Sequence, residues 1–234
     1  KRVSKKKPVI MLKAGRTSAG AKAASSHTGA LAGNDKIYED VLRQSGVIRA
    51  RSLRDLLDFA RGIPVLPTPR GENIVIITGA GGSGVLLSDA CVDNGLKLMP
   101  MPADLDAAFR KFIPPFGAAG NPVDITGGEP PLTYKNTVLL GLSDDRIHAL
   151  ILGYWHTIVT PPMVFAKIMV EARDEMRAKG IEKPMVASLA GDVQVEEAAQ
   201  YLYEHGIPAY AYSTEIPVAV LAAKYQWARG AGLL

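Results

Sequence analysis

The run Ser25-Ser26-His27-Thr28-Gly29-Ala30-Leu31-Ala32-Gly33 sets one imidazole among glycines, alanines and hydroxyls. The plain reading of such a histidine is an exposed side chain with no task. Phosphoryl transfer is the chemistry that wants these surroundings. An imidazole that takes a phosphoryl group from one donor and hands it to an acceptor elsewhere needs a segment that rearranges at low cost, with hydroxyls or backbone N–H groups to hold the phosphate oxygens. His27 is therefore the candidate nucleophile, with Ser26, Thr28 and Gly29 as its support.

A second candidate is Gly79-Ala80-Gly81-Gly82-Ser83-Gly84, which lies between an apolar run and a helical stretch. There the N–H groups of the turn and the helix dipole would both face an anion. The run also satisfies G-x-G-x-x-G, but where a dinucleotide site needs an acidic residue for the ribose this chain has Met99-Pro100-Met101, so phosphate is the better ligand. In Gly120-Asn121-Pro122-Val123-Asp124-Ile125-Thr126-Gly127-Gly128-Glu129, Asn121 and Asp124 are candidate site residues. Turn chemistry accounts for that composition equally well. His205 and His148 read as structural, and a site role for His156, at a strand's carboxyl end, stays open. The single cysteine, Cys91, reads as a small buried hydrophobe. No His, Cys or carboxylate spacing resembles a zinc site, and no Gly-x-Ser-x-Gly elbow occurs.

These residues need a frame to position them. Unbroken apolar runs predict buried parallel strands at 8–12, 47–50, 73–78, 96–99, 149–153, 185–190 and 209–211. Helical periodicity and end signals predict helices at 34–45, 52–61, 85–94, 104–112, 134–142, 162–179, 195–205 and 215–229. Residues 13–33 lose all periodicity and read as a long loop with room for some helix. Pro64, Pro67 and Pro69, followed by Arg70-Gly71-Glu72, make a stiff polar connection, which places a linker at 67–72 between a unit at 1–66 and a unit at 73–234. The fold class is α/β. The second unit reads as a complete five-strand flavodoxin-like parallel sheet, and the first as the C-terminal half of a related flavodoxin-like domain.

An internal repeat supports that division. Lys7-Pro-Val-Ile-Met-Leu-Lys-Ala-Gly15 resembles Lys183-Pro-Met-Val-Ala-Ser-Leu-Ala-Gly191, and Ser45-Gly46-Val matches His205-Gly206-Ile in pattern, each pair leading into a helix. Between strand and helix the first copy is longer by about 16 residues, and the insertion holds His27. It falls at the carboxyl end of a parallel strand, where α/β sheets carry their ligand loops.

Composition excludes several classes. The chain of 234 residues is 47% hydrophobic and 21% charged, which is ordinary for a globular protein. No run approaches the roughly 20 apolar residues of a membrane helix. The charge of +4 owes much to Lys1, Arg2, Lys5, Lys6 and Lys7, and no aromatic residues are interleaved there as a nucleic-acid surface would require. A cytoplasmic protein with no nucleic acid and no membrane among its partners is expected.

Three separated segments together resemble the ADP-forming acetyl-CoA synthetases, relatives of succinyl-CoA synthetase: the strand from Lys7 with the His27 run, the Thr78–Gly84 turn, and Gly120-Asn121-Pro122-Val123-Asp124. The resemblance implies a reversible acid–CoA ligase of the NDP-forming kind. Phosphate attacks the acyl-CoA thioester, a histidine matching His27 takes the phosphoryl group from the acyl phosphate, and the loop carries it to NDP. It also implies CoA, ATP or ADP, Mg2+ and a small organic acid as ligands, an oligomer, and CoA-binding and ATP-grasp domains or subunits as partners. The alternative is a non-catalytic module of the same fold, such as a regulatory part of an acyltransferase fusion, in which His27 would be expendable.

Overall fold

A computed structural model of the chain describes residues 1–28 and 33–234. By contacts the chain divides into two compact units, one made of Lys1–Pro64 with Ala223–Leu234 and the other of Val65–Ala222.

In the first unit, β1 (Ile10–Leu12) and β2 (Ile48–Ala50) pair in parallel, Ile10 opposite Ile48. Between them run α1 (Ser18–Thr28) and α2 (Asp35–Gln44), and α3 (Leu53–Val65) follows β2. Asn34 caps α2, its side-chain oxygen accepting from Lys36 N at 2.9 Å. Gly46 ends that helix with φ of 66°, a conformation glycine adopts at no steric cost. The C-terminal part of α9 (Glu215–Ala231) closes this unit. There Trp227 Nε1 donates to Ser4 O at 2.8 Å and Lys224 Nζ to Ile63 O at 3.4 Å.

The second unit is a five-stranded parallel sheet of order β4-β3-β5-β6-β7, the flavodoxin-like order. Its strands are β3 (Ile74–Thr78), β4 (Val123–Asp124), β5 (Ala149–Trp155), β6 (Met185–Ala190) and β7 (Ala209–Ala211). The connecting helices are α4 (Gly81–Asp93), α5 (Ala103–Phe109), α6 (Pro131–Ser143), α7 (Pro162–Ala178) and α8 (Gln194–Glu204). Every residue of β3 and all of β5 up to Tyr154 are buried, as the uninterrupted apolar runs require. Tyr134, Tyr154 and Phe165 form an aromatic cluster in this core, the last two stacked with centroids 4.3 Å apart.

One expected strand is absent. Residues 96–99 form no strand. Leu98 makes only an isolated bridge to Ile74, and the second strand of the flavodoxin order is β4, inside the segment whose composition suited a site and a turn equally. Asn121 explains how the two pieces share one edge of β3. Its side chain accepts from Ile76 N at 3.0 Å and donates to Ile74 O at 2.8 Å and to Met99 O at 3.0 Å, standing in for strand backbone between them. The helix allowed for in the loop at 13–33 takes up most of residues 13–28, because Ala19, Ala21, Ala23 and Ala24 are strong helix formers and α1 occupies 11 residues. Among the described residues no helix is long and apolar enough to cross a membrane.

Candidate functional site

His27 lies in the last turn of α1, exposed, where a helix C-terminus favours positive charge. Thr17 starts the helix. Its hydroxyl oxygen accepts from Gly20 N at 3.1 Å and its carbonyl from Ala21 N at 2.8 Å. Ser26 turns its hydroxyl back onto Ala23 O at 2.9 Å. Thr28 ends the helix, and Gly29 lies outside the described residues.

The base of this segment is pinned. Lys13 Nζ donates to Gly15 O at 3.3 Å and to Gly33 O at 3.1 Å, so one ammonium group ties the two ends of the His27 segment together. It also lies 3.6 Å from Asp35 and 4.8 Å from the centre of the Tyr38 ring. Asp35 in turn pairs with Arg49 at 2.5 Å, and Arg49 also pairs with Glu39. The Arg49 guanidinium, assisted by Lys13, holds the Asp35 carboxyl below its ordinary range. Lys13 escapes a sequence reading because it resembles any strand-ending lysine.

In the second unit the predicted glycine turn is shorter than expected. Gly79 and Ala80 are turn, and Gly81, Gly82, Ser83 and Gly84 are already the first turn of α4. The first intrahelical bond runs from Gly84 N to Ala80 O, and Ala80 as N-cap offers no side chain to the amides before it. Gly81 and Gly82 are exposed, and a Cβ on Gly82 would meet nothing within 4 Å. An uncapped helix amino terminus open on one side is a ready site for a phosphate oxygen.

Close approach sets the sequence around it. A Cβ on Gly79 would collide with the Tyr134 hydroxyl, and one on Gly81 would come within 2.6 Å of Asp124 Oδ2. Asp124 is held by its other oxygen, which accepts from Thr126 N at 2.9 Å, where Thr126 has φ of 65°. The Tyr134 hydroxyl is buried with no hydrogen-bond partner among the described residues. Burial, with Tyr154, Asp124 and Glu129 adding to it, pushes its pKa up, so it stays a neutral donor. The structure thus brings Asp124 to the glycine turn and leaves the Asn121 amide bonded to backbone behind it. Tyr134 was missed because its sequence neighbours mark only a helix.

His148 and His205 are bonded to backbone. Asn73 N donates to His148 Nδ1 at 3.0 Å, and His205 Nδ1 lies 2.8 Å from Tyr201 O. Cys91 is fully buried, its thiol pushed up to about 12 by burial. His156, immediately after β5, has Nδ1 3.1 Å from Asp192 Oδ1. Among the described residues no three His, Cys, Asp or Glu side chains are placed to hold a metal ion.

Family models match both units: a Ligase-CoA domain over residues 74–234 and a succinyl-CoA ligase-like flavodoxin domain over residues 1–63. The alpha subunit of the ADP-forming acetate–CoA ligase I of Pyrococcus furiosus is 42% identical over 98% of this chain and 48% of its own length. The ADP-forming 4-hydroxybutyrate–CoA ligase of Nitrosopumilus maritimus is 35% identical over 89% of this chain and 28% of its own. Among solved structures, acetyl-coenzyme A synthetase 1 of Ca. Korarchaeum cryptofilum, in complex with phosphate and ADP, superposes with a TM-score of 0.91 at 38% identity, covering 99% of this chain and 49% of that one. The chain spans about half the length of these relatives, or less.

Proposed function

Because the chain belongs to the Ligase-CoA family, which includes the ADP-forming acetate–CoA ligases, we propose that it is the phosphate-relay portion of an NDP-forming acid–CoA ligase. His27 takes a phosphoryl group from an acyl phosphate and passes it to a nucleoside diphosphate, or the reverse. The observation that carries the reading is the presence in one chain of an exposed imidazole, His27, and an uncapped helix amino terminus at α4. The first is a nucleophile that a donor can reach. The second supplies the Gly81, Gly82 and Ser83 amides to the phosphate oxygens, with a stabilisation of roughly 0.3–2 kcal/mol that suits a group which must leave again.

CoA, ATP or ADP and Mg2+ would be held mainly by CoA-binding and ATP-grasp polypeptide outside this chain. A small organic acid is the substrate, in a cytoplasmic setting. Residues 1–66 would then be the closing half of one flavodoxin-like domain, 67–72 a linker, and 73–234 a second domain.

The test uses the complete enzyme. Incubated with labelled ATP and Mg2+, it should take up acid-labile, base-stable phosphate on this chain, and His27→Ala should abolish it. Wild-type enzyme that takes no label would end the proposal.

A further inference from the structure

His156 and Asp192 stand at the carboxyl ends of β5 and β6, neighbouring strands in which Trp155 lies opposite Ala190. A carboxylate can only accept, so the 3.1 Å contact to Asp192 Oδ1 places the imidazole proton on Nδ1 and leaves the Nε2 lone pair free. Asp192 is itself held. Its Oδ1 accepts from Gln194 N at 3.0 Å, and its carbonyl accepts from the Tyr212 hydroxyl at 3.1 Å. Tyr212 follows β7 with φ of 61°, an unfavourable conformation for an aromatic residue and one that clusters at functional sites. Gly191 lets the histidine lie close, since a Cβ there would sit 2.5 Å from His156 Cβ.

The dyad belongs to the same edge of the sheet as the glycine turn. A Cβ on Gly127 would lie 3.2 Å from Gly79 O and 3.7 Å from Thr157 Cγ2, so Gly127 packs between the residue after His156 and the residue that leads into α4. Thr160 Oγ1 donates to Glu129 O at 2.8 Å, fixing the turn that carries His156 to the segment after β4. Trp155 and Ile158, one residue before and two after His156, are 55% and 96% exposed, so the same segment carries apolar surface of the kind an acyl chain covers. A base held by an orienting carboxylate, at the carboxyl end of the strand beside the one that leads into the glycine turn, is an arrangement for moving a proton during acyl transfer.

We propose that His156 is the general acid–base of the acyl half-reaction, with Asp192 as its positioning residue; this rests on the acid–CoA ligase reading above. As a phosphate oxygen bonds to the thioester carbon, its hydroxyl proton passes to His156 Nε2. As the carbon–sulfur bond breaks, that proton passes to the departing thiolate, leaving acyl phosphate and free CoA thiol. Nothing is oxidised or reduced, and His27 enters only afterwards.

Arsenate isolates this step, because the acyl arsenate it forms hydrolyses spontaneously and no phosphohistidine is needed. With the complete enzyme, acetyl-CoA and arsenate, release of CoA thiol should fall about a hundredfold or more in His156→Gln and by a smaller factor in Asp192→Asn. Labelling of His27 from ATP and Mg2+ should be unchanged in both. His156→Gln within threefold of wild type in arsenolysis overturns the proposal, as does parallel loss of arsenolysis and ATP labelling, which marks a structural role. Absence of arsenolysis in wild type overturns it too. Wild-type arsenolysis without any His27 labelling ends the relay alone, and the His156 comparison still stands or falls on its own rates.

Discussion

Tyr134 carries a buried hydroxyl with no hydrogen-bond partner among the described residues, and Gly79 leaves the space that hydroxyl fills. Two substitutions should therefore behave oppositely. Gly79→Ala forces a methyl group against the ring and should cost about 1–3 kcal/mol, seen as a thermal midpoint lowered by several degrees. Tyr134→Phe removes an unsatisfied polar group and should be neutral or stabilising by up to about 1 kcal/mol. In the double variant part of the Gly79→Ala loss should return, and Gly79→Ala as stable as wild type would refute the packing argument. His27 could be singled out as a candidate because its segment interrupts a repeat, and Gly79–Gly84 because glycines cluster before a helix. Tyr134, Asp192 and Tyr212 were not, since each acquires its part from a residue brought near only by the fold.

At the scale of elements, the His27 segment shows how a mobile-looking composition is anchored. Lys13 bonds the carbonyls at both ends, so Lys13→Met should leave β1 and α2 in place and speed hydrogen exchange in residues 15–28 roughly tenfold. Unchanged exchange there would show that the lysine ties nothing. Acid should act on the same base. The Asp35 carboxyl titrates below its ordinary range, so its contribution is complete above the unfolded-state value and is lost as pH falls through the lowered folded-state one. Thermal unfolding of the first unit followed from about pH 6 to 3 should weaken below about pH 4, and Asp35→Asn should flatten that dependence. The apolar runs of β3, β5 and β6 could be read directly, since buried parallel strands must be apolar on both faces. β4 could not, because a two-residue strand has no periodicity and exists through its bonds to β3 and to Ala118.

For the whole molecule the two copies of the repeat differ in what surrounds them. In the second unit β6 lies between β5 and β7, inside a sheet of five. In the first unit β1 has β2 on one side and no strand on the other among the described residues. A two-stranded parallel sheet is marginal by itself, and parallel strands normally have both faces covered. Here Met11 and Leu12 are more than a third exposed, and Ile37, Val41, Leu53 and Leu57 are exposed on the neighbouring helices. The end of α9 supplies part of the cover through Trp227 and Lys224. If the rest of a flavodoxin-like domain is supplied by other polypeptide of the complete enzyme, that polypeptide should pair with the free edge of β1 as β5 pairs with β6. Backbone amides of β1 should then exchange at least about a hundredfold more slowly in the complete enzyme than in this chain alone, while those of β5 and β6 stay equally protected in both. Equal protection of β1 in both preparations would mean that this edge is already satisfied and that the first unit is stabilised without a partner strand.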